Sequence, residues 1–187
     1  MAEHEQLFNM CREGKIEEVR KALARGGDPN KRLGTNRITA LHAAAAEGHR
    51  EVVALLLEQS GVDLNAANNN GWTALHHAAA EGHEKILALL LDHPGIDDKA
   101  TSNGGSTILH SACYGNCGPD ILRRLLTNPD TDPNVKNLNG NTPIMILLQR
   151  NNNMDIQRVC LQAMVESDKV DLDVKDPEGR GLEDLAR

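Results

Sequence analysis

Three residues in the middle of the chain, His110, Cys113 and Cys117, have side chains that can bind zinc. Their spacing of i, i+3 and i+7 would place an imidazole and two thiols on one face of a helix, and all three are zinc ligands. A zinc site needs three or four ligands that neighbouring groups hold in place, and no fourth ligand is evident nearby. Because spacing alone is weak support, metal-dependent chemistry at Cys113 and Cys117 is an alternative that elemental analysis would test.

His110 is also the last residue of a four-residue motif that recurs along the chain. The copies are Thr39-Ala40-Leu41-His42, Thr73-Ala74-Leu75-His76 and Thr107-Ile108-Leu109-His110, followed by the divergent Thr142-Pro143-Ile144-Met145 and Gly181-Leu182-Glu183-Asp184. The threonines are separated by 34, 34 and 35 residues, and the last step is 39. A constant period of this length indicates tandem structural repeats, in which each unit buries its apolar face against its neighbours.

The motif and its period resemble those of the ankyrin repeat, over nearly the whole chain. The resemblance implies a single domain over 1–187 with an all-α-type solenoid fold, in which each unit has a β-hairpin and an antiparallel helix pair. About five and a half units are expected: an N-terminal cap over 2–34, then 35–68, 69–102, 103–137, 138–176 and a partial C-terminal cap over 177–187. In this family the motif histidine bonds neighbouring hairpin and helix backbone, which gives His42, His76 and His110 a structural role.

The apolar pattern predicts where the helices of each unit lie. The first helix begins at the motif threonine and ends at Gly48 or Gly82, each of which can take the left-handed conformation. In the third unit, the second helix carries Ile86, Leu87, Leu90 and Leu91 on one face, at i, i+1, i+4 and i+5. The fifth unit has a longer second helix, whose apolar face is predicted to consist of Ile156, Val159, Cys160, Ala163 and Met164.

Composition excludes several classes of function. The chain has 187 residues and only three aromatic side chains, Phe8, Trp72 and Tyr114, which suits a stack of small helices better than one large core. The formal net charge of −7 argues against a nucleic-acid surface, which would be basic. The same charge favours a basic partner surface, mainly by steering its approach.

The cysteines and the N-terminal segment indicate the cellular compartment of the protein. The four cysteines occupy positions that the repeat treats as small and mostly interior, so we expect reduced thiols in a reducing compartment. The segment Met1–Gln6 lacks a signal peptide's basic and apolar regions, and no apolar run reaches membrane-spanning length. We therefore expect a cytoplasmic or nuclear monomer with no cofactor and no contact with membrane or nucleic acid.

The resemblance further implies that partners bind to the finger tips and to the concave face of the first helices. Trp72 and Tyr114 are predicted to be exposed anchors, since Trp and Tyr dominate binding hot spots. Alternatively, Trp72 folds back over a hairpin and Tyr114 fills space left by Gly115. Arg37 replaces a finger glycine, so that tip is either reshaped or used for contact. The candidate partner-binding residues are Arg37, Ile38, Glu47, Asn70, Trp72, Glu81, Ser106, Tyr114, Asn141, Gln149 and Arg150.

These residues carry no catalytic arrangement, because the sequence has no nucleotide-binding glycine loop and no nucleophile–base pair that the repeat does not explain. Glu47 and Glu81 lie one repeat apart and form either a negative ladder in the groove or a solvated face. The predicted function is a non-catalytic protein-interaction domain, acting as an adaptor, scaffold or regulatory module. The alternative is a stoichiometric inhibitor that sequesters a transcription factor or kinase, similar to the inhibitors of Rel-type factors.

Overall fold

The computed structural model describes residues 3–115, 117–149 and 154–185 and shows two layers of helices. The first layer packs α1 on α3, α3 on α5, α5 on α7 and α7 on α9, and the short α11 closes it against α9. The second layer holds α2, α4, α6, α8 and α10, each packed on the first helix of its own pair. The bounds are α1 Glu3–Arg12, α2 Ile16–Ala24, α3 Ala40–Ala46, α4 Arg50–Leu57, α5 Ala74–Ala80, α6 Glu84–Leu91, α7 Ile108–Tyr114, α8 Pro119–Thr127, α9 Pro143–Gln149, α10 Met154–Val165 and α11 Leu182–Leu185.

The motif histidine caps its own helix and also bonds the next finger. The Thr73 backbone N–H donates to His76 Nδ1 at 3.3 Å, while Thr73 Oγ1 accepts from the His76 backbone N–H, which makes a capping box with His at the third position. Because Nδ1 accepts, the neutral ring carries its proton on Nε2, which faces the Ser106 carbonyl at 3.3 Å. His42 and His110 are bonded in the same way, to the carbonyls of Trp72 and Asn141. The structural role implied for these histidines is confirmed.

The turn between the helices of a pair depends on glycine and on the histidine after it. Gly48 and Gly82 have φ values of 84° and 72°, as predicted from their position. His83 Nε2 bonds the Ala46 carbonyl of the preceding pair at 2.9 Å. A Cβ on Gly48 would lie 2.8 Å from the His83 ring, so this position excludes a side chain both by its backbone conformation and by the lack of space.

The fingers are tighter than the expected β-hairpins. Each of the later ones is closed by two backbone bonds, such as the 2.9 Å bonds from the Asn68 N–H to the Trp72 carbonyl and from the Gly71 N–H to the Asn68 carbonyl. Between 3 and 185, the described residues contain one isolated bridge, Leu33 with Ile38, and no longer strand. Each finger bonds the next, since Asn103 Nδ2 donates to the Asn69 carbonyl at 2.9 Å.

The predicted apolar face of α10 is partly wrong. Cys160, Ala163 and Met164 are buried, but Ile156 and Val159 are exposed and Gln157 is buried instead. The Gln157 side-chain amide donates to the carbonyls of Leu147 and Leu148 at 2.7 and 3.3 Å. These carbonyls end α9 and lack partners within that helix, so satisfying them decides which face of α10 turns inward.

Leu90 offers a direct test of this core, because its side chain is completely buried in α6. Leu90→Ala should lower the free energy of unfolding by about 2–5 kcal/mol, the usual range for a buried leucine. Leu138→Ala is the matched control, since Leu138 is 80% exposed and its truncation should cost less than about 0.5 kcal/mol. Urea denaturation followed by circular dichroism measures both. Equal losses in the two variants would contradict the assigned packing.

Candidate partner-binding groove

A groove of about 610 Å³ runs between the fingers and the first helices of the third to fifth helix pairs. Six of the eleven candidate residues line it: Trp72, Glu81, Ser106, Tyr114, Asn141 and Gln149. Ser111, Asn137 and Ile146 also line it, although no sequence feature singled them out. Ser111 and Ile146 lie four residues after a motif threonine, so following that position through the repeats would have found them.

The expectation that Trp72 is an exposed anchor needs correction. Its side chain is half-buried, with the indole ring 5.2 Å from the His77 ring and 6.1 Å from the His76 ring between centroids. The imidazole rings of α5 thus form the wall on which the indole packs. Trp72 contributes to the groove through its remaining exposed edge, and truncating it would also remove packing within the fold.

Tyr114 is the exposed aromatic residue of the groove. It ends α7 and is 52% exposed. The neighbouring Gly115 does not leave a space for the ring to fill, since a Cβ there would lie 2.0 Å from the Ala79 carbonyl oxygen. That position is occupied by the backbone at the end of α5, so the end of α7 lies directly against α5, and Tyr114 remains exposed at the surface.

Two exposed carboxylates stand at the ends of neighbouring first helices. Glu47 and Glu81 are the C-cap residues of α3 and α5, where the helix dipole already places partial negative charge. Neither forms an ion pair in the described part of the chain. Glu81 lines the groove, whereas Glu47 lies one helix pair before it. This edge of the first layer is therefore electronegative.

The other candidates lie away from the groove lining. Arg37 and Asn70 are exposed and Ile38 is half-buried, on the first two fingers. The Asn70 carbonyl accepts a 2.9 Å bond from the Asn103 N–H and so joins two fingers. Arg150 lies outside the described residues. The structure therefore concentrates the candidate residues on the third to fifth pairs.

The histidines behind the groove are held neutral. Burial is the main cause that lowers the pKa of His76 and of His77 to about 4. The charge of His42 acts in the same direction on both rings, whereas the bond to the Ser106 carbonyl opposes the shift at His76. Burial also lowers the pKa of His42 and of His110, although their bonds to backbone carbonyls act in the opposite direction. At neutral pH these rings add no positive charge to the groove, so Glu81 determines its local sign.

The zinc hypothesis for the fourth pair is not supported by the geometry. Both His110 ring nitrogens are engaged, with Thr107 and with the Asn141 carbonyl. Cys117 Sγ donates to the Ala79 carbonyl at 3.3 Å, and burial raises the pKa of Cys113 well above its ordinary value. Among the described residues, no group of three or more His, Cys, Asp or Glu side chains could hold a metal ion.

Comparison with protein families agrees with the helical stack and its motif. A model of ankyrin repeats in three copies matches residues 7–102, and a model of the single ankyrin repeat matches 104–138. The chain belongs to the ankyrin-repeat family. Ankyrin repeats are generally non-catalytic modules of protein–protein interaction. A search of curated proteins found no match, and no helix among the described residues is long and apolar enough to cross a membrane.

The neutral histidines of this ankyrin-repeat chain predict a pH-dependent stability. His76 has a folded pKa of about 4 and an ordinary unfolded value, so the unfolded chain binds more protons between about pH 6.5 and 4. Stability should fall across this window as the pH is lowered, by up to about 1.4 kcal/mol per pH unit for each such histidine. Urea denaturation at stepped pH measures the slope. His76→Met, which copies Met145 of the fifth pair, should have a shallower slope, and an unchanged slope would refute this origin.

Replacing Arg37 with glycine, the residue that the repeat usually has at this turn, is predicted to stabilise the fold. Its φ is 54°, in the left-handed region, where Gly71, Gly105, Gly140 and Gly179 occupy the equivalent turns. Removing that strain by Arg37→Gly recovers about 1–2 kcal/mol, offset by about 0.5–1 kcal/mol of backbone entropy. We therefore expect the free energy of unfolding, measured by thermal denaturation, to be unchanged or to rise by up to about 1.5 kcal/mol.

The matched control is the opposite change at the next finger. Gly71→Ala should destabilise the chain, because a Cβ there would lie 2.5 Å from the Asn103 backbone nitrogen. If Arg37→Gly were as destabilising as Gly71→Ala, the Arg37 side chain would have a structural contact and the strain argument would fail.

Proposed function

We propose that this chain is a non-catalytic adaptor, scaffold or regulatory module that holds a segment of a partner protein in the groove of the third to fifth helix pairs. The observation that carries the proposal is the groove itself, which brings six candidate residues together, the exposed Tyr114 among them. A groove of this kind, with one aromatic anchor surrounded by polar side chains, has the composition of a binding hot spot.

The groove suits an extended segment with a basic side chain. Ser106, Asn139, Asn141 and Gln149 supply amide and hydroxyl groups, which can both donate to and accept from a partner's backbone. Glu81 supplies a carboxylate at the end of α5, where the helix dipole also attracts a cation. A lysine or arginine of the partner would be attracted to this carboxylate and to the face of Tyr114.

Within this proposal, the chain acts by stoichiometric recruitment, as a monomer. Four free and buried thiols are consistent with the reducing interior of the cytoplasm or nucleus. The alternative function uses the same surface: the chain would act as an inhibitor that sequesters a transcription factor or kinase. Glu47, exposed at the end of α3, would extend the negative edge toward a larger basic surface, and binding would then weaken steeply with salt.

A binding experiment with Tyr114→Ala tests the proposal. Partners are captured from cell lysate on the wild-type chain, and the affinity of each is then measured with purified protein. Tyr114→Ala should weaken binding at least about tenfold, as expected for an aromatic hot-spot residue. The control is Val165→Ala, because Val165 on α10 has a similar exposure of 50% and lies outside the groove. Both variants are first compared with wild type by thermal denaturation.

The two variants separate the possible results. If Tyr114→Ala loses a partner that Val165→Ala still binds, the groove is supported as the binding site. If Glu81→Gln also weakens binding of that partner, Glu81 contacts a basic side chain of the partner. Equal affinity of both variants for every captured partner would refute the groove as the binding site.

A further inference from the structure

Two kinds of hydrogen bond join the second, third and fourth fingers to the residues before them. In the fourth finger, the Leu138 N–H donates to the Gly104 carbonyl of the preceding finger at 2.8 Å. The motif residue His110 bonds the Asn141 carbonyl of the same finger at 3.0 Å. The corresponding bonds of the other two fingers join Asn69 to Asn36, Asn103 to Asn70, His42 to Trp72 and His76 to Ser106. Each of these fingers is therefore held both by its neighbour and by a helix.

The last finger, residues 176–180, has the internal hydrogen bonds of a regular finger. The Asp176 N–H donates to the Arg180 carbonyl at 3.0 Å, and the Gly179 N–H donates to the Asp176 carbonyl at 3.0 Å. The Asp176 carboxylate accepts from the Arg180 N–H at 2.8 Å and from the Arg180 Nε at 2.7 Å. The finger is thus closed within itself as firmly as the others are.

Both links to the preceding residues are missing from this finger in the described part of the chain. Pro177 takes the position of Leu138, and proline has no backbone N–H to donate. Met145 takes the position of the motif histidine, and its thioether cannot donate to the Arg180 carbonyl. Between the residues that the structure describes, every hydrogen bond of 176–184 has both of its atoms within that segment.

Apolar contacts hold the terminal segment, residues 176–185, against the stack. Leu182 of α11 is half-buried against the core, and α11 packs on α9. A Cβ on Gly140 would lie 2.6 Å from the Pro177 ring, so this ring lies directly on the fourth finger. The helix α11 has only four residues, which is too short for a helix that is stable without packing. The segment therefore depends on a small apolar contact.

We propose that the terminal segment is a releasable cap, which detaches from α9 and the fourth finger as one unit while the five helix pairs stay folded. The bond from Lys136 Nζ to the Lys175 carbonyl at 2.9 Å lies just before the segment and marks the point from which it moves. Detachment uncovers the side of α9 on which α11 packs. No residue of the segment lines the groove of the third to fifth pairs, so the cap does not depend on the proposed function.

Hydrogen exchange of the free chain, followed by NMR and corrected for intrinsic rates, tests the cap by comparing matched bonds. The Asp176 and Gly179 amides donate within the last finger, and the Asn137 and Gly140 amides make the same bonds within the fourth. The last finger should exchange at least about tenfold faster, because it lacks two hydrogen bonds of modest net strength. The Asp184 amide of α11 should report the same free energy of opening. Exchange in the two fingers within about twofold would overturn the proposal.

Met145→His tests the cause of the release, because it supplies a donor opposite the Arg180 carbonyl. Exchange throughout the terminal segment should slow about fivefold, the effect of one hydrogen bond. Met145→Leu is the matched control, since leucine has a similar volume and no polar hydrogen. Exchange in Met145→His within about twofold of Met145→Leu would contradict the proposal, because the histidine would then have added no link.

Limited proteolysis checks that opening is confined to the terminal segment. Arg37 and Arg180 are both exposed finger residues, but the first finger accepts two bonds from Asn69 at 3.1 and 2.7 Å. Trypsin should therefore cleave after Arg180 at least about tenfold faster than after Arg37, as mass spectrometry would measure. The product that ends at Arg180 should keep a cooperative thermal transition. Equal cleavage at the two sites, or an unfolded product, would refute the cap.

Discussion

Each helix pair in this chain depends on side chains from adjacent pairs to satisfy its backbone. A short first helix leaves carbonyls without partners at its end, and its finger leaves others. His83 bonds a carbonyl of the preceding pair and His76 bonds one of the following pair. A lone pair of helices would lose both bonds as well as its apolar contacts. The stack therefore gains its stability from neighbouring contacts, as expected of a linear repeat protein.

The same dependence explains which parts could be predicted from sequence. Some features follow from interactions that every regular unit repeats, so aligning the repeats predicts their positions. These features are the threonine–histidine motif, the glycine turns and the buried positions of α6. Trp72 could not be placed in this way, because its burial depends on His77, which occurs in one unit only. The orientation of α10 likewise depends on one residue, Gln157, and its bonds to the end of α9.

Residues that depart from the repeat either lose a hydrogen bond that the regular residue would make or introduce backbone strain. Met145 in the histidine position can accept from the Thr142 N–H but cannot donate to a following carbonyl, and Thr142 Oγ1 is left buried without a partner in the described structure. Arg37 keeps its backbone in the strained left-handed region, and its side chain is exposed. Natural chains keep such locally unfavourable residues where other requirements, often functional ones, outweigh the loss.

Tyr114, Gly115 and Cys117 also depart from the repeat, and together they shape the boundary between the third and fourth helix pairs. On the inner face, the absence of a Cβ at Gly115 lets α7 approach α5 and leaves Tyr114 at the surface of the groove. On the outer face of the same boundary, side chains join the two pairs: Asn128 Nδ2 donates to Asp98 Oδ2 at 2.6 Å, and Arg124 on α8 lies 2.7 Å from Asp92 at the end of α6. A groove with walls on both sides of this boundary therefore depends on the close approach of α7 to α5, which leaves no room for a side chain at position 115.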